Sequence, residues 1–167
     1  MPVTDQGIDN QHYQVIPRTL VFITRGDEIL MLKGAPTKRL WANKYNGVGG
    51  HIEAGEDVYS SAKRELFEES GLDINPLILC GSILINVGEK TGIHIFLFKG
   101  EYTEGELRES REGSLEWIHK EKIMQIPLVE DLKIILPEIL TLERGKMLYA
   151  RYYYGKTEQI KIDYSIV

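Results

Sequence analysis

Cysteine is almost absent. Cys80 is the only one in 167 residues, which excludes an internal disulfide and a thiolate metal cage and makes it a small buried hydrophobe. No apolar run approaches the roughly 18 residues that a membrane-spanning helix needs, so no membrane partner is expected. The opening stretch Met1-Pro2-Val3-Thr4-Asp5 has neither the basic start nor the apolar core of a signal peptide, and a cytoplasmic location is the expectation. An excess of positive charge is also missing. The net charge of −5 argues against a nucleic-acid polymer as partner, because phosphate backbones demand a basic face. It leaves open a small phosphorylated ligand, since a local cluster of acids can hold phosphates through divalent cations.

Several chemical motifs are missing too. There is no convincing Ser-His or Cys-His arrangement for a covalent nucleophile, and no complete Walker-type phosphate loop. Gly47-x-Gly49 begins a dinucleotide-loop pattern, but Ile52 stands where the third glycine must be. His12, His51, His94 and His119 are scattered without ligand spacing; of these, His51 is a candidate substrate or supporting contact.

What remains is an ordinary globular composition, 43% hydrophobic and 27% charged, at a length that fits one domain. Thr19 to Thr24 and Glu28 to Lys33 read as strands joined by a turn at Arg25-Gly26-Asp27. A loop follows from Gly34 to Tyr45, and Gly47-Val48-Gly49-Gly50 is the tightest glycine cluster. Asp57 to Ser70 suits a helix stopped by Gly71. Leu77 to Val87 and Ile93 to Lys99 read as strands paired through Gly88-Glu89-Lys90, and Leu115 to His119 as a short strand. Helical spacing of Leu132, Ile135, Leu136, Ile139 and Leu140 predicts a second helix over Leu128 to Leu142. Met147 to Tyr154 and Gln159 to Val167 predict a C-terminal hairpin around Gly155-Lys156. The fold class is therefore α/β (α+β), a mixed sheet flanked by helices. Residues 1–167 form one domain, with a core over about 15–144 and the hairpin over 145–167. Helices and strands do not alternate regularly, which disfavours a doubly wound parallel sheet.

The informative segment is Gly50 to Leu72, GHIEAGEDVYSSAKRELFEESGL. At about 100° per residue, Glu65, Glu68 and Glu69 share an arc of roughly 100° on the predicted helix, while Ala62 and Leu66 lie on the adjoining, core-facing arc. Carboxylates at i,i+4 weaken a helix by a few tenths of a kcal/mol. A divalent cation relieves that repulsion, and Mg²⁺, with its hard oxygen ligands, completes its shell with waters and substrate phosphates. The alternative is a solvated acidic face.

The order Gly50, five residues, Glu56, seven residues, Arg64-Glu65-Leu66-x-Glu68-Glu69-x-Gly71-Leu72 resembles the signature of the Nudix hydrolases at every fixed position. The resemblance implies an α/β/α sandwich. It also implies metal-dependent hydrolysis of a nucleoside diphosphate linked to another group, with Mg²⁺ or Mn²⁺. Glu65, Glu68 and Glu69 would be metal ligands, the Gly49 carbonyl a further one, and Arg64 and Glu56 a buried pair that orients them. Glu68 or an acid outside the box would be the base. Glu112, five residues before Trp117, resembles a further metal-site glutamate of the branch acting on oxidised purine nucleoside triphosphates. Asn46 resembles a base-contacting asparagine of that branch, and Asp131 one of its base-reading acids; Lys33, at a strand end, could reach a phosphate. As alternatives, Glu112 is an exposed loop acid, Asn46 a turn residue and Asp131 a helix-dipole partner. One departure stands out: that branch places an aromatic residue just before its acids, where this chain has Leu128. Trp117 reads as core.

These expectations favour a small-molecule nucleotide substrate, first a (modified) nucleoside triphosphate and second ADP-ribose or a nucleotide sugar. A catalytically silent nucleotide-binding module is the third reading, opposed by an intact Glu56, Arg64, Glu65, Glu68 and Glu69. Tyr149, Tyr152, Tyr153 and Tyr154 of the hairpin would cover the core or form a homodimer face.

Overall fold

The computed structural model describes residues 2–7, 9, 11–110, 112–155 and 159–167. Eight strands, β1 (Gln14–Arg25), β2 (Glu28–Gly34), β3 (Tyr45–Asn46), β4 (Ile78–Asn86), β5 (Thr91–Glu101), β6 (Gly113–His119), β7 (Leu148–Tyr154) and β8 (Ile160–Ile166), accompany α1 (Val58–Ser70) and α2 (Leu132–Thr141). The order β3-β2-β1-β5-β4-β7-β8, with β6 on β2, makes a mixed sheet. β1 runs parallel to β5 and β4 parallel to β7, while β4–β5, β2–β6 and β7–β8 are antiparallel.

Alternation along β1 builds the layers. Leu20 and Phe22 join the cluster containing Leu132, Ile135, Leu136 and Ile139 of α2, whereas Val21 and Ile23 join the cluster containing Ala62 and Leu66 of α1. Each helix thus covers one face, giving the expected α/β/α sandwich, and the continuous apolar run in β1 follows from burial on both sides. Burying each of these side chains contributes roughly 1.5–3 kcal/mol.

β1 begins five residues before the expected Thr19, passing through Pro17. Its odd residues face the glycine-rich segment: the Pro17 carbonyl accepts from Ile52 N–H (3.2 Å), and Thr19 and Val21 donate to Gly50 (2.9 Å) and Val48 (2.7 Å). The N–H that Pro17 lacks would point to that loosely paired side, so no β1–β5 bond is lost. α2 begins four residues after the expected Leu128. Tyr45 donates to the Pro127 carbonyl (2.9 Å) and accepts from Val129 N–H (3.0 Å), which holds this stretch extended, and Leu128 is buried there without being helical.

The hairpin forms as expected, although Lys156 of its turn lies outside the described residues. It is continuous with the sheet through β4–β7, and Leu148, Ala150 and Tyr152 enter the core. Among the described residues, no helix is long and apolar enough to cross a membrane.

Candidate active site

The acidic helix owes its start to Asp57, whose carboxylate accepts from the N–H groups of Tyr59 (2.8 Å) and Ser60 (2.9 Å). It ends at Gly71, in the left-handed region at φ 77°, whose N–H bonds the Phe67 carbonyl at 2.8 Å. Between these caps α1 turns Ala62 and Leu66 inward, and Glu69 falls at the edge of the same buried face, only 7% exposed.

Arg64 is the hub of the helix wall. Its Nε and Nη2 grip both oxygens of Glu56 (2.6 and 2.9 Å), and its Nη1 donates to Glu65 (2.8 Å) and to Glu68 (3.2 Å). Nη2 also reaches the His51 carbonyl at 3.0 Å, a supporting contact made by the His51 backbone. The Glu56–Arg64 pair is half-buried, with side chains 20% and 28% exposed, less enclosed than the resemblance implied. This bidentate grip and the Glu53 N–H hold the Glu56 carboxyl down at about 2.

Glu69 behaves in the opposite way. Burial, then the charges of Glu112 and Glu65, push its carboxyl up to about 8, only partly offset by the Gly49 N–H and Lys38. Its Oε2 is buried without a hydrogen-bond partner. Glu65 is raised by burial, against the pull of Arg64. Glu68 is the open member, its side chain 59% exposed.

The glycines bring the backbone against this wall. A Cβ on Gly49 would sit 2.1 Å from the Thr19 carbonyl, so that position admits no side chain, and one on Gly50 would sit 2.5 Å from the Glu65 carboxylate and push it aside. Gly49 turns its N–H toward Glu69, a different contact from the carbonyl ligand that the resemblance implies.

The opposite wall comes from distant chain. Glu112 precedes β6, and Gly113 approaches the Lys33 carbonyl so closely that a Cβ would lie 1.9 Å from it. Glu112 ion-pairs with Lys38 of the loop over residues 35–44, and its carbonyl accepts from Ala35 N–H at 3.0 Å. A cavity of about 60 Å³ opens against this second wall, lined by Lys38, Trp41, Asn46, Gly49 and Glu112 among others, and no residue of α1 lines it.

The structure thus brings Glu65, Glu69, Gly49, Glu112 and Asn46 to one place. The Asn46 side chain accepts from the Gly47 N–H at 2.9 Å, the local turn bond that its residue type favours. Lys33 and Asp131 are elsewhere. Lys33 lines a second cavity of about 320 Å³ with Pro36, Asn43 and Ser114. Asp131 lines neither cavity; it lies at the start of α2 beside the fully buried Tyr152, whose hydroxyl faces it without closing a hydrogen bond of ordinary geometry. Burial raises the Asp131 carboxyl. Trp117 sits edge-on to Tyr102 at 5.4 Å with Arg25 over its ring, at the border of the α1-side core as expected. Cys80 is buried and its thiol is pushed up to about 11.

Sequence reasoning missed Lys38, and it read Tyr152 as a hairpin tyrosine covering the core or a dimer face, which fits its burial but not its place beside Asp131. Lys38 is one of several cations in a loop of no periodicity, and only the fold reveals its partner. Tyr152 carried a weak signal, the alternation that places Leu148, Ala150 and Tyr152 on one face of β7.

Among the described residues, no three carboxylates converge on one point at ligand distance. Arg64 draws Glu65 and Glu68 toward Glu56, and Lys38 holds Glu112. The acids nevertheless act on one another, and the partnerless Glu69 oxygen beside Glu65 and Glu112 suits a hard divalent cation.

An α/β/α fold carrying such an acid cluster defines a class of phosphate-anhydride hydrolases, and comparison with known proteins is specific. The NUDIX domain profile matches residues 15–139. The chain is 35% identical over 106 residues to an oxidized purine nucleoside triphosphate hydrolase of Danio rerio, covering 63% of this chain and 67% of that protein. It is 31% identical over 123 residues to the enzyme of that name from Mus musculus, covering 73% and 78%. The crystal structure of a mutator MutT protein from Bacillus halodurans matches with a TM-score of 0.76 at 26% identity, covering 91% of this chain and 97% of that one. The chain belongs to the Nudix family and is a MutT-type hydrolase acting on pyrophosphate bonds. Enzymes of this family generally use a divalent metal.

Proposed function

We propose that this enzyme cleaves a (modified, oxidised-purine) nucleoside triphosphate to the monophosphate and pyrophosphate, with Mg²⁺ or Mn²⁺ held by Glu65, Glu68, Glu69, Glu112 and the Gly49 carbonyl. The observation that carries the metal reading is Glu69: a carboxylate 7% exposed, with one oxygen lacking any partner, facing the charges of Glu112 and Glu65. Leaving such a group without a counter-ion is costly. When bound, the cation neutralises the pyrophosphate oxygens and makes water a better nucleophile at neutral pH.

The chain's own residues do the rest. Arg64, fixed on Glu56, sets the positions of Glu65 and Glu68. Glu68, the exposed carboxylate, takes the proton of the attacking water as its oxygen bonds to phosphorus and the bridging P–O bond breaks. The leaving pyrophosphate carries the electron pair of that bond. Asn46, on the cavity wall, contacts the base, and a substrate longer than this cavity extends to Lys33, which meets a phosphate, and to Asp131, beside the Tyr152 hydroxyl, which reads the base edge.

The two relatives named for oxidised purine nucleoside triphosphates support the substrate class. A second reading, ADP-ribose or a nucleotide sugar, is favoured by Leu128: it is 2% exposed and bridged to Tyr45, so it offers no stacking face for a purine. Product analysis separates the two. Pyrophosphate plus monophosphate from oxidised purine triphosphates supports the first; AMP plus ribose phosphate from ADP-ribose, with triphosphates untouched, replaces it with the second. The homodimer reading rests on β8, an edge strand bearing exposed Tyr164 and Ile166. Sedimentation as a monomer at tens of micromolar would remove it.

A further inference from the structure

Among the described residues, two cations face the acid cluster, and they are held very differently. Arg64 makes six hydrogen bonds, two of them a bidentate grip on Glu56 from within its own helix. Lys38 has one carboxylate partner, Glu112, and stands on a loop rather than a helix or strand. That loop is tied at its base, by Ala35 N–H to the Glu112 carbonyl (3.0 Å) and Gly34 N–H to the Lys44 carbonyl (3.0 Å), while the Lys38 N–H donates to the Ala35 carbonyl (3.0 Å). The stem of Lys38 runs past Gly34, where a Cβ would lie 3.7 Å from its Cδ. Its ammonium therefore enters the cavity walled by Gly49, Asn46 and Glu112.

The position has a chemical consequence. Lys38 reaches both Glu112, through the ion pair, and Glu69, through its field. A divalent cation shared by Glu69 and Glu112 would sit against the ammonium, and at a few ångströms a double and a single positive charge repel by about 2 kcal/mol even in bulk water, more in a cleft. One must leave. The lysine can, because an ammonium on four rotatable carbons is a mobile point charge, whereas the guanidinium fork of Arg64 is fixed. Leaving Glu112, Lys38 remains on the wall of the only cavity that also holds the Gly49 and Glu112 ligands, among the cavities described. The new negative charge available to it there is the substrate polyphosphate.

We propose that Lys38 is a tethered stand-in for the divalent cation at Glu112, and that on displacement by the metal it becomes a binding residue for the substrate's phosphate oxygens. This rests on the metal reading above. It adds a residue outside the sequence signature, and it couples metal loading to phosphate capture: the cation that fills the site frees the lysine that grips the substrate.

The test uses the full chain and Mn²⁺, counted by electron paramagnetic resonance without nucleotide, in wild type, Lys38→Met, Lys38→Arg and Glu69→Gln, with circular dichroism confirming the fold of each. Lys38→Met should bind Mn²⁺ more tightly than wild type, on the order of 2–10-fold, since it loses the competitor. Its KM for a nucleoside triphosphate should rise by roughly 10-fold with a smaller change in kcat, because a charge-assisted contact to phosphate is lost. Lys38→Arg, which keeps the charge, should stay within about 3-fold of wild type in KM. Mn²⁺ binding unchanged or weakened in Lys38→Met overturns the stand-in role, and an unchanged KM overturns phosphate capture. If wild type binds no Mn²⁺ that Glu69→Gln removes, the metal reading itself falls and takes Lys38 with it. That outcome is distinct, because it shows in wild type before any lysine is changed.

Discussion

The two walls of the site are built on different principles. The helix wall takes Glu56, Arg64, Glu65, Glu68 and Glu69 from 14 consecutive residues, and its geometry is local: helical spacing and one arginine arrange the acids. The opposite wall joins Lys38, Asn46 and Glu112, residues up to 74 apart in sequence, and exists only because β2 pairs with both β3 and β6. Local geometry pairs Glu56, Glu65 and Glu68 of the first wall with Arg64 and leaves Glu69 the unpaired member. The second is held by the ion pair of Lys38 with Glu112, the contact proposed above to open when metal binds. Chemistry that must not vary belongs on the first, and adjustment to metal and substrate on the second.

Breaking the helix wall should have the largest effect. Glu69→Gln is expected to lower kcat by at least ~10²-fold with the fold retained, since it removes the charge of the proposed ligand without creating a cavity. An unchanged rate with Mg²⁺ would move the chemistry away from this wall. Arg64→Ala comes next. It frees Glu56, Glu65 and Glu68 together, and should reduce stability in urea by roughly 1–3 kcal/mol and kcat on the order of 10-fold. A variant of wild-type stability and rate would show that the acids orient themselves.

The pH dependence of the metal-free protein sharpens the contrast inside the helix wall. The Glu56 carboxyl is held at about 2, so its contribution to stability is present above its unfolded value near 4.5 and is lost as pH falls through about 2. The Glu69 carboxyl is raised to about 8, so its contribution is fully present below 4.5 and fades as pH rises through about 8. Urea midpoints should therefore fall at both ends. Arg64→Ala should flatten the acid limb and Glu69→Gln the alkaline limb; limbs unaffected by these variants would contradict the assignment.

The same division explains what could be read in the sequence. The helix wall was legible because its residues are near neighbours, and helical spacing alone puts Glu65, Glu68 and Glu69 on one side. The burial of Glu69 was not, since an exposed and an inward glutamate look alike until the sheet behind Ala62 and Leu66 is in place. Glu112 could be suggested only by resemblance, and Lys38 not at all, because their meeting depends on strand register. Errors in the fold have the same origin. α2 lost its first turn to Tyr45, whose backbone captures Pro127 and Val129 from 82 and 84 residues away. β1 gained a stretch through Pro17 because its missing N–H faces the glycine segment rather than β5.

The most direct measurement follows pyrophosphate release from a nucleoside triphosphate after the protein has been stripped with chelator and Mg²⁺ has been added back stepwise, in wild type and in Glu69→Gln. The expected result is no turnover in chelator, recovery with Mg²⁺ in wild type, and no comparable recovery in Glu69→Gln. Turnover that persists in chelator, or full recovery in Glu69→Gln, would contradict the assignment of metal-dependent cleavage to the acid cluster of α1.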